Sequence, residues 1–465
     1  MHAIGGNLAT LAEQLADFTA RVKYADLSAE AIYEVKRFLW DSLGCAYGGL
    51  NTRDASMMRE FMRDLGGPQE STVIGTGERA PAAHTSLVNA LLIRALDYND
   101  IYWNQDPSHP SDIIPAALSV GEARNKTGKD LILGIALAYE FEMRFCQAAV
   151  PGIRERKWHH ASLTAFVSPL VAGKMMGLNA EQLTHAMGIS ASHSMTLGCV
   201  TAGKLTMMKN TVDPMATQSG VIAAMLAEKG YHGPAHVIDG KEGLMQCLGP
   251  EWDLGRFTDG LGQSWQVLQC GMKAFPTEAL THAPISGVLQ LVMENDLSPD
   301  QIVQVDIDTL SKAADILSDP SKYNPTTRET ADHSLPYCLA AAIVLRRVTT
   351  DIFEEEYLFH PQIRETLPKI KVRAEPTFEK QFPKVQPCNV TITLTDGKKL
   401  TKHLDWPKGD PRSPMTDEEV DRKVLGLTED KLSDKARASL RDKVFHLEKI
   451  GAIGELMTAT RCDIG

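Results

Sequence analysis

LDYNDIYWNQDPSHPSDIIPAALSVG, residues 96–121, gathers polar chemistry between two apolar helical runs. Asp97, Asn99, Asp100, Asp106, His109, Ser111 and Asp112 all fall in its first part. Pro107 and Pro110 exclude a regular helix here, so the sequence predicts a loop that interrupts two helices. His109 lies between these prolines, which restricts its backbone. Ser111 or Asp112 is placed to cap the next helix, with Pro115 in its first turn. Ionisable groups between buried helices are costly unless a site uses them. A solvated loop with two caps is the competing reading.

On the N-terminal side the chain reads as helix after helix. Apolar residues recur at helical spacing over residues 8–22, then from a Ser28 cap to Gly48-Gly49, then through Met57, Phe61 and Met62 to Gly66-Gly67. A short extended piece, STVIG at 71–75, precedes a helix that starts at Pro81 and delivers Asp97. Beyond the central loop, helices are predicted over 115–123, 130–149, 162–176, 180–194 and 215–229. The character then changes. Val303, Val305 and Ile307 alternate with polar residues, as do Ile370 with Val372 and Val390 with Ile392. Asp396-Gly397 is a type I′ hairpin signal. The expected fold is therefore mainly α: a helical domain at 1–270, a smaller α+β domain at 271–410, and C-terminal helices at 411–465 that return to the first domain.

The 465 residues carry 48 Lys and Arg against 59 Asp and Glu, a formal net charge of −11. That balance argues against nucleic acid and against an anionic membrane surface as partners. No apolar run reaches the roughly 18 residues of a membrane span. The N-terminus has neither a basic n-region nor Arg-rich amphipathic character, so no targeting segment is expected and the compartment is read as cytoplasmic. Eight cysteines are scattered without a C-x-x-C pair, which points away from zinc ribbons and iron–sulfur clusters. HExxH, P-loop, GxGxxG and GxSxG signatures are missing.

Five further places could carry chemistry. Trp158-His159-His160 precedes a helix; adjacent side chains point differently, so one histidine at most should face a pocket. Lys209, in GKLTMMKN, stands just before a helix and could meet an anion there, or simply snorkel. GMKAFP with Thr281-His282 brings Lys273 and His282 to the expected domain boundary. Asp332-His333-Ser334 opens an apolar helix containing Tyr337, and capping would explain it equally. His232 and His236 have no third ligand and a Gly-Pro between them, so no metal site is expected.

LDYND with HPSD, the WHH segment, the Lys209 segment with ATQSGVIAAMLAEKG, KAFP with TH, RETADHSLPY and KGDPRSPMT together resemble the MmgE/PrpD family, in order and over nearly the whole chain. The resemblance implies an all-helical domain completed by the C-terminal tail, an α+β lid, a homodimer and no metal or organic cofactor. It also implies a small di- or tricarboxylate substrate. Family activities include 2-methylcitrate dehydratase, cis-aconitate decarboxylase and iminodisuccinate epimerase. Residue by residue, it assigns catalytic parts to Asp97, His109, His159, Lys209 and Tyr337. It assigns substrate contacts to Asn99, Lys273, His282 and His333.

The longer Asp97–His109 spacing, HPSD and DHSLPY look more like the dehydratase branch, so dehydration is expected over decarboxylation, and the chain also departs from the family pattern. Ile101 stands where many members carry Thr, Val212 where decarboxylase-like members often carry His, and Pro276-Thr277-Glu278 replaces Pro-Cys-Cys. The expected chemistry is proton removal beside a carboxylate, which builds a dianion that lysines and imidazoles must stabilise. His159 and His109 are the acid–base candidates, in an order the sequence leaves open. Asp97 would orient a histidine, and Tyr337 would donate to a carboxylate or the leaving oxygen.

Overall fold

The computed structural model describes residues 9–103, 106–202, 205–249 and 251–464. The residues that open the N-terminal targeting reading, and Gly203-Lys204, lie outside these. The chain is mainly α-helical with small sheets and divides into two compact units. The first comprises the chain up to Ala95, Asn99–Cys270 and the chain from Asp417 onward; the second comprises Leu96–Tyr98 and Gly271–Thr416. Among the described residues no helix is long and apolar enough to cross a membrane.

Caps written in the sequence start the first helices. Thr10 and Glu13 bond reciprocally at the head of Leu11–Arg21, and Ser28 Oγ accepts from the Ala31 amide to start Ala29–Gly49. The latter helix passes very close to Ala82–Arg94: a Cβ on Gly49 would lie 2.3 Å from the Leu92 carbonyl oxygen. That crossing sets the position of Arg94. The helix ends there, two residues before the predicted Leu96, and Asp97 follows in a left-handed conformation at φ 51°.

Among the described residues, Pro169 and Pro214 lie deep inside helices. Pro169 is in Ala161–Met176 and Pro214 in Met208–Glu228. The second helix therefore begins seven residues before the expected start. Pro214 reads as a boundary from sequence, yet it removes one amide donor without ending the helix, because the face with Val212, Ala216, Ser219 and Gly220 is buried while Met208, Met215 and Ile222 stay exposed on the other. Ser168 Oγ donates to the Ala216 carbonyl at 3.0 Å, tying the two helices together where Gly220 permits their approach.

The central stretch is more ordered than a plain loop. Asp100–Trp103 pairs antiparallel with Pro107–Ser108, and a 3-10 turn at Pro110–Ile113 feeds the helix Ile114–Ala123. The expected caps do not form. Ser111 gives its amide and hydroxyl to the Asp100 carboxylate, at 2.9 and 2.6 Å, and Asp112 accepts from Asn99 Nδ2 at 3.2 Å. Both residues tie the stretch to itself.

The C-terminal helices Asp417–Thr428, Asp434–Phe445 and Ile453–Ala459 complete the helical unit. Lys423 forms a buried ion pair with Asp41 at 2.6 Å, and Tyr47 donates to the Thr460 carbonyl at 2.5 Å.

In the second unit, Ile302–Thr309 lies parallel to Ile370–Ala374 and antiparallel to Cys388–Leu394, which Lys399–Leu404 flanks. A bulge between Ile302 and Gln304 turns Val303 outward, against the predicted alternation. The hairpin is not type I′. Only Gly397 has positive φ, the Gly397 amide donates to the Leu394 carbonyl, and the Leu394 amide donates to Lys398. This is a type I turn followed by a left-handed glycine.

Candidate active site

In the helical unit the site is built around three imidazoles. His109 leaves the short hairpin with its Nδ1 2.6 Å from the Asp100 carbonyl oxygen. A carbonyl only accepts, so Nδ1 carries the hydrogen and the lone pair of the neutral ring sits on Nε2. His159 has the opposite arrangement. The Ala161 amide donates to its Nδ1 at 3.2 Å, which leaves the hydrogen of the neutral ring on Nε2. Burial, reinforced by His160 and Arg94, holds His159 well below the usual imidazole range, so it stays neutral.

The adjacent histidines lie side by side. His159 and His160 occupy the turn that opens Ala161–Met176, where successive side chains diverge by about 100° rather than 180°. Their ring centroids lie 4.0 Å apart, and His160 lies 5.6 Å from His109. All three are buried. His160 Nε2 is 3.3 Å from Asp213 Oδ1. Burial would raise the Asp213 carboxyl, but the His160 contact and Arg94 outweigh it and hold the group well below the carboxylate range. Arg94 in turn lies 3.6 Å from Asp112.

Three buried acids brace the segments that carry these histidines. Glu142 Oε1 accepts from Ser108 Oγ at 2.6 Å and from Thr164 Oγ1 at 3.1 Å. It thus links the residue before His109 to the helix that follows His160. Burial pushes its carboxyl up to about 8, with the Asp213 and Asp100 charges adding to the effect. Burial likewise pushes Asp100 up to about 6, against the opposing Ser111 hydrogen bonds. Asp106 receives the Ile153 and Arg154 amides at 2.7 and 3.0 Å and anchors the loop before the histidine pair.

Lys209 is inside a helix, not before it. It occupies the first turn of Met208–Glu228, one turn ahead of Asp213 on the same face. Its neighbour Asn210 reaches the Ala95 carbonyl and Asp54, each at 3.4 Å. Asn99 holds Ser111 Oγ at 2.9 Å and so supports the hairpin that carries His109.

In the second unit, Lys273 is 2% exposed and its Nζ lies 2.9 Å from both Asp97 Oδ1 and the Asp97 carbonyl, and 3.2 Å from the Thr277 carbonyl. His282 opens the helix His282–Glu294, with Nε2 3.3 Å from Thr277 O. His333 Nδ1 lies 2.5 Å from Asp332 Oδ1. Tyr337 is fully buried and donates to the Ile352 carbonyl at 2.5 Å; burial raises its hydroxyl above the usual phenol range.

Sequence reading missed His160, Asp213, Arg94 and Glu142. Asp213 was hidden by Pro214. Glu142 had a signal: an acid in an apolar helix, beside Glu140 and Arg144. Among the described residues, His159, His160 and Asp213 have ligand atoms within 4.8 Å of one another, a spacing that could hold a metal ion. The Ala161 amide opposes this, because neutral His159 then has one nitrogen occupied and a proton on the other.

Comparison with known proteins matches the MmgE/PrpD N-terminal domain to residues 13–256 and the MmgE/PrpD C-terminal domain to residues 275–447. The chain is 25% identical to the cis-aconitate decarboxylase of Homo sapiens, over 97% of this chain and 94% of that one. It is 22% identical to the cis-aconitate decarboxylase of Aspergillus terreus, over 94% and 93%. It is also 22% identical to the 2-methylcitrate dehydratase of Salmonella typhimurium, over 86% of each.

Proposed function

Because this chain belongs to the MmgE/PrpD family, we propose that it is a lyase that dehydrates 2-methylcitrate or citrate to the corresponding cis-aconitate. The observation that carries the reading is the opposite tautomers of His109 and His159. His109 presents a lone pair at Nε2 and takes the proton beside a carboxylate. His159 presents a hydrogen at Nε2 and, as a neutral imidazole, hydrogen-bonds the oxygen where charge collects. His159 keeps its hydrogen and stabilises that oxygen by hydrogen bonding, while His109 passes the proton it took from carbon to the departing hydroxyl, which leaves as water and restores the neutral base, so the sequence balances without a redox partner.

Lys209, in the first turn of its helix, meets a substrate carboxylate with the help of the helix N-terminus. Lys273 is engaged by Asp97, which makes it the weaker candidate for that part. His159→Ala and Lys209→Ala should each lower kcat at least about 10²-fold. Steady-state kinetics giving near wild-type turnover for either would remove that residue from the mechanism.

The test of the reaction is ultraviolet absorbance of EDTA-treated enzyme with 2-methylcitrate or citrate. A rise from the conjugated alkene supports dehydration without metal. A second reading, decarboxylation of cis-aconitate, is favoured by the broader coverage of the decarboxylase relatives, 97% of this chain against 86%. It predicts the reverse: cis-aconitate absorbance falls and carbon dioxide is released. The same proposal takes the protein as a cytoplasmic homodimer without metal or organic cofactor, and light scattering reads the dimer directly.

A further inference from the structure

A cavity of about 520 Å³ lies wholly within the helical unit and shares no residue with the imidazole cluster. Three separate parts of the chain wall it: Asn51 with Arg59 on the helix Arg53–Leu65, the Gly75-Thr76 turn, and the C-terminal residues Lys431, Arg461 and Asp463. Its size falls in the range of small-molecule sites. Its lining is polar, with two arginines and a lysine and no aromatic side chain.

The charges there are unevenly engaged. Asp430 holds Lys431 Nζ at 2.6 Å, and Asp463 accepts from the Ser433 amide and hydroxyl at 2.8 and 2.6 Å. The arginines are under-used. Among the described residues, Arg59 Nε is buried without a hydrogen-bond partner, and its guanidinium reaches the Leu50 carbonyl at 3.4 Å and Glu78 at 3.8 Å. The Arg461 guanidinium has no hydrogen bond or ion pair among the described residues. A planar guanidinium fork with open donors suits an oxyanion held in two places, and two such forks on one cavity suit a ligand with two anionic groups.

We propose that this cavity binds a small metabolite carrying two or more oxyanion groups, phosphate or carboxylate, at a site separate from the reaction centre. Arg59 and Arg461 hold the oxyanions, while Asn51 and Thr76 are placed to meet the ligand's hydroxyl or carbonyl groups.

Isothermal titration calorimetry of the full chain with sodium pyrophosphate, and separately with citrate, tests this. The wild type should saturate with at least one probe near or below about 1 mM, and Arg461→Gln and Arg59→Gln should each weaken that binding at least about tenfold. Arg63→Gln, on the same helix and outside the cavity, should bind as wild type. Loss confined to pyrophosphate assigns the site to phosphate compounds; loss confined to citrate assigns it to carboxylates. No binding of either probe overturns the proposal. So does binding that Arg461→Gln and Arg59→Gln leave unchanged, since it then belongs elsewhere. Circular dichroism of Arg461→Gln, whose side chain is exposed, separates loss of the site from loss of fold.

Discussion

His109→Asn will lower kcat about 10³-fold, within the range that a positioned general base contributes. The substitution is chosen for geometry. An asparagine amide can occupy the place of Nδ1 and still donate to the Asp100 carbonyl, 2.6 Å away in the wild type. The hairpin therefore keeps its hydrogen bond, and only the Nε2 lone pair is lost. KM should change much less than kcat, because the proton transfer belongs to the transition state and not to substrate binding. The acid limb of the kcat/KM profile, where protonation of the base stops the reaction, should flatten in the residual activity. Turnover within about tenfold of wild type would exclude His109 as the base, since ten-fold is below the usual range for that role. Parallel loss in His159→Ala would leave the two histidines as partners; a loss in His159→Ala alone would reverse their assignment.

The helical scaffold was legible because its signals are local. Ser28, Gly66 and Gly177 mark helix ends through caps and left-handed glycine, and those ends lie where the sequence places them. The candidate site was open to nomination by residue type but not by partner. Asp97, Lys273, His109 and His159 could be nominated from the sequence. That the Asp100 main chain, rather than a carboxylate, sets the His109 tautomer could not, because a backbone contact across nine residues leaves no compositional trace. Asp213 was lost for a different reason. Pro214 is a strong local stop, and tertiary packing overrode it by burying one face of the surrounding helix. His160 was lost to a strand-like picture of alternation applied to residues that form a helical turn. The Asp100 contact and Asp213 were lost where a long-range contact outweighs a local rule, and His160 where the wrong local period was applied.

Glu142→Gln will stabilise the protein increasingly as pH rises from about 5 to about 8, and the gain will then level off. The sign follows from linkage. In the unfolded chain the carboxyl ionises near its ordinary 4.5; in the folded protein burial keeps the proton on until about 8. Between those values the folded state binds one more proton than the unfolded state, so wild-type stability falls as pH rises. Above about 8 both forms are ionised and the slope from this group disappears. Glutamine keeps an oxygen to accept from Ser108 and Thr164, at 2.6 and 3.1 Å in the wild type, and has no proton to lose. Paired melting curves across this range are the measurement; a constant gap, or a glutamine variant less stable at every pH, would sink the idea. Glu142→Ala should behave differently. It strands both hydroxyls and opens a cavity, at a cost of about 3 kcal/mol. Because Ser108 adjoins His109 and Thr164 lies one turn beyond His160, the alanine variant should also lose turnover at pH values where it is still folded. Glutamine should retain that turnover, and should keep it further into alkaline solution than the wild type does, since in the wild type ionisation of Glu142 brings a third negative charge beside Asp213 and Asp100. A glutamine variant as inactive as alanine would show that the acid itself, and not the brace it provides, is what the histidines require.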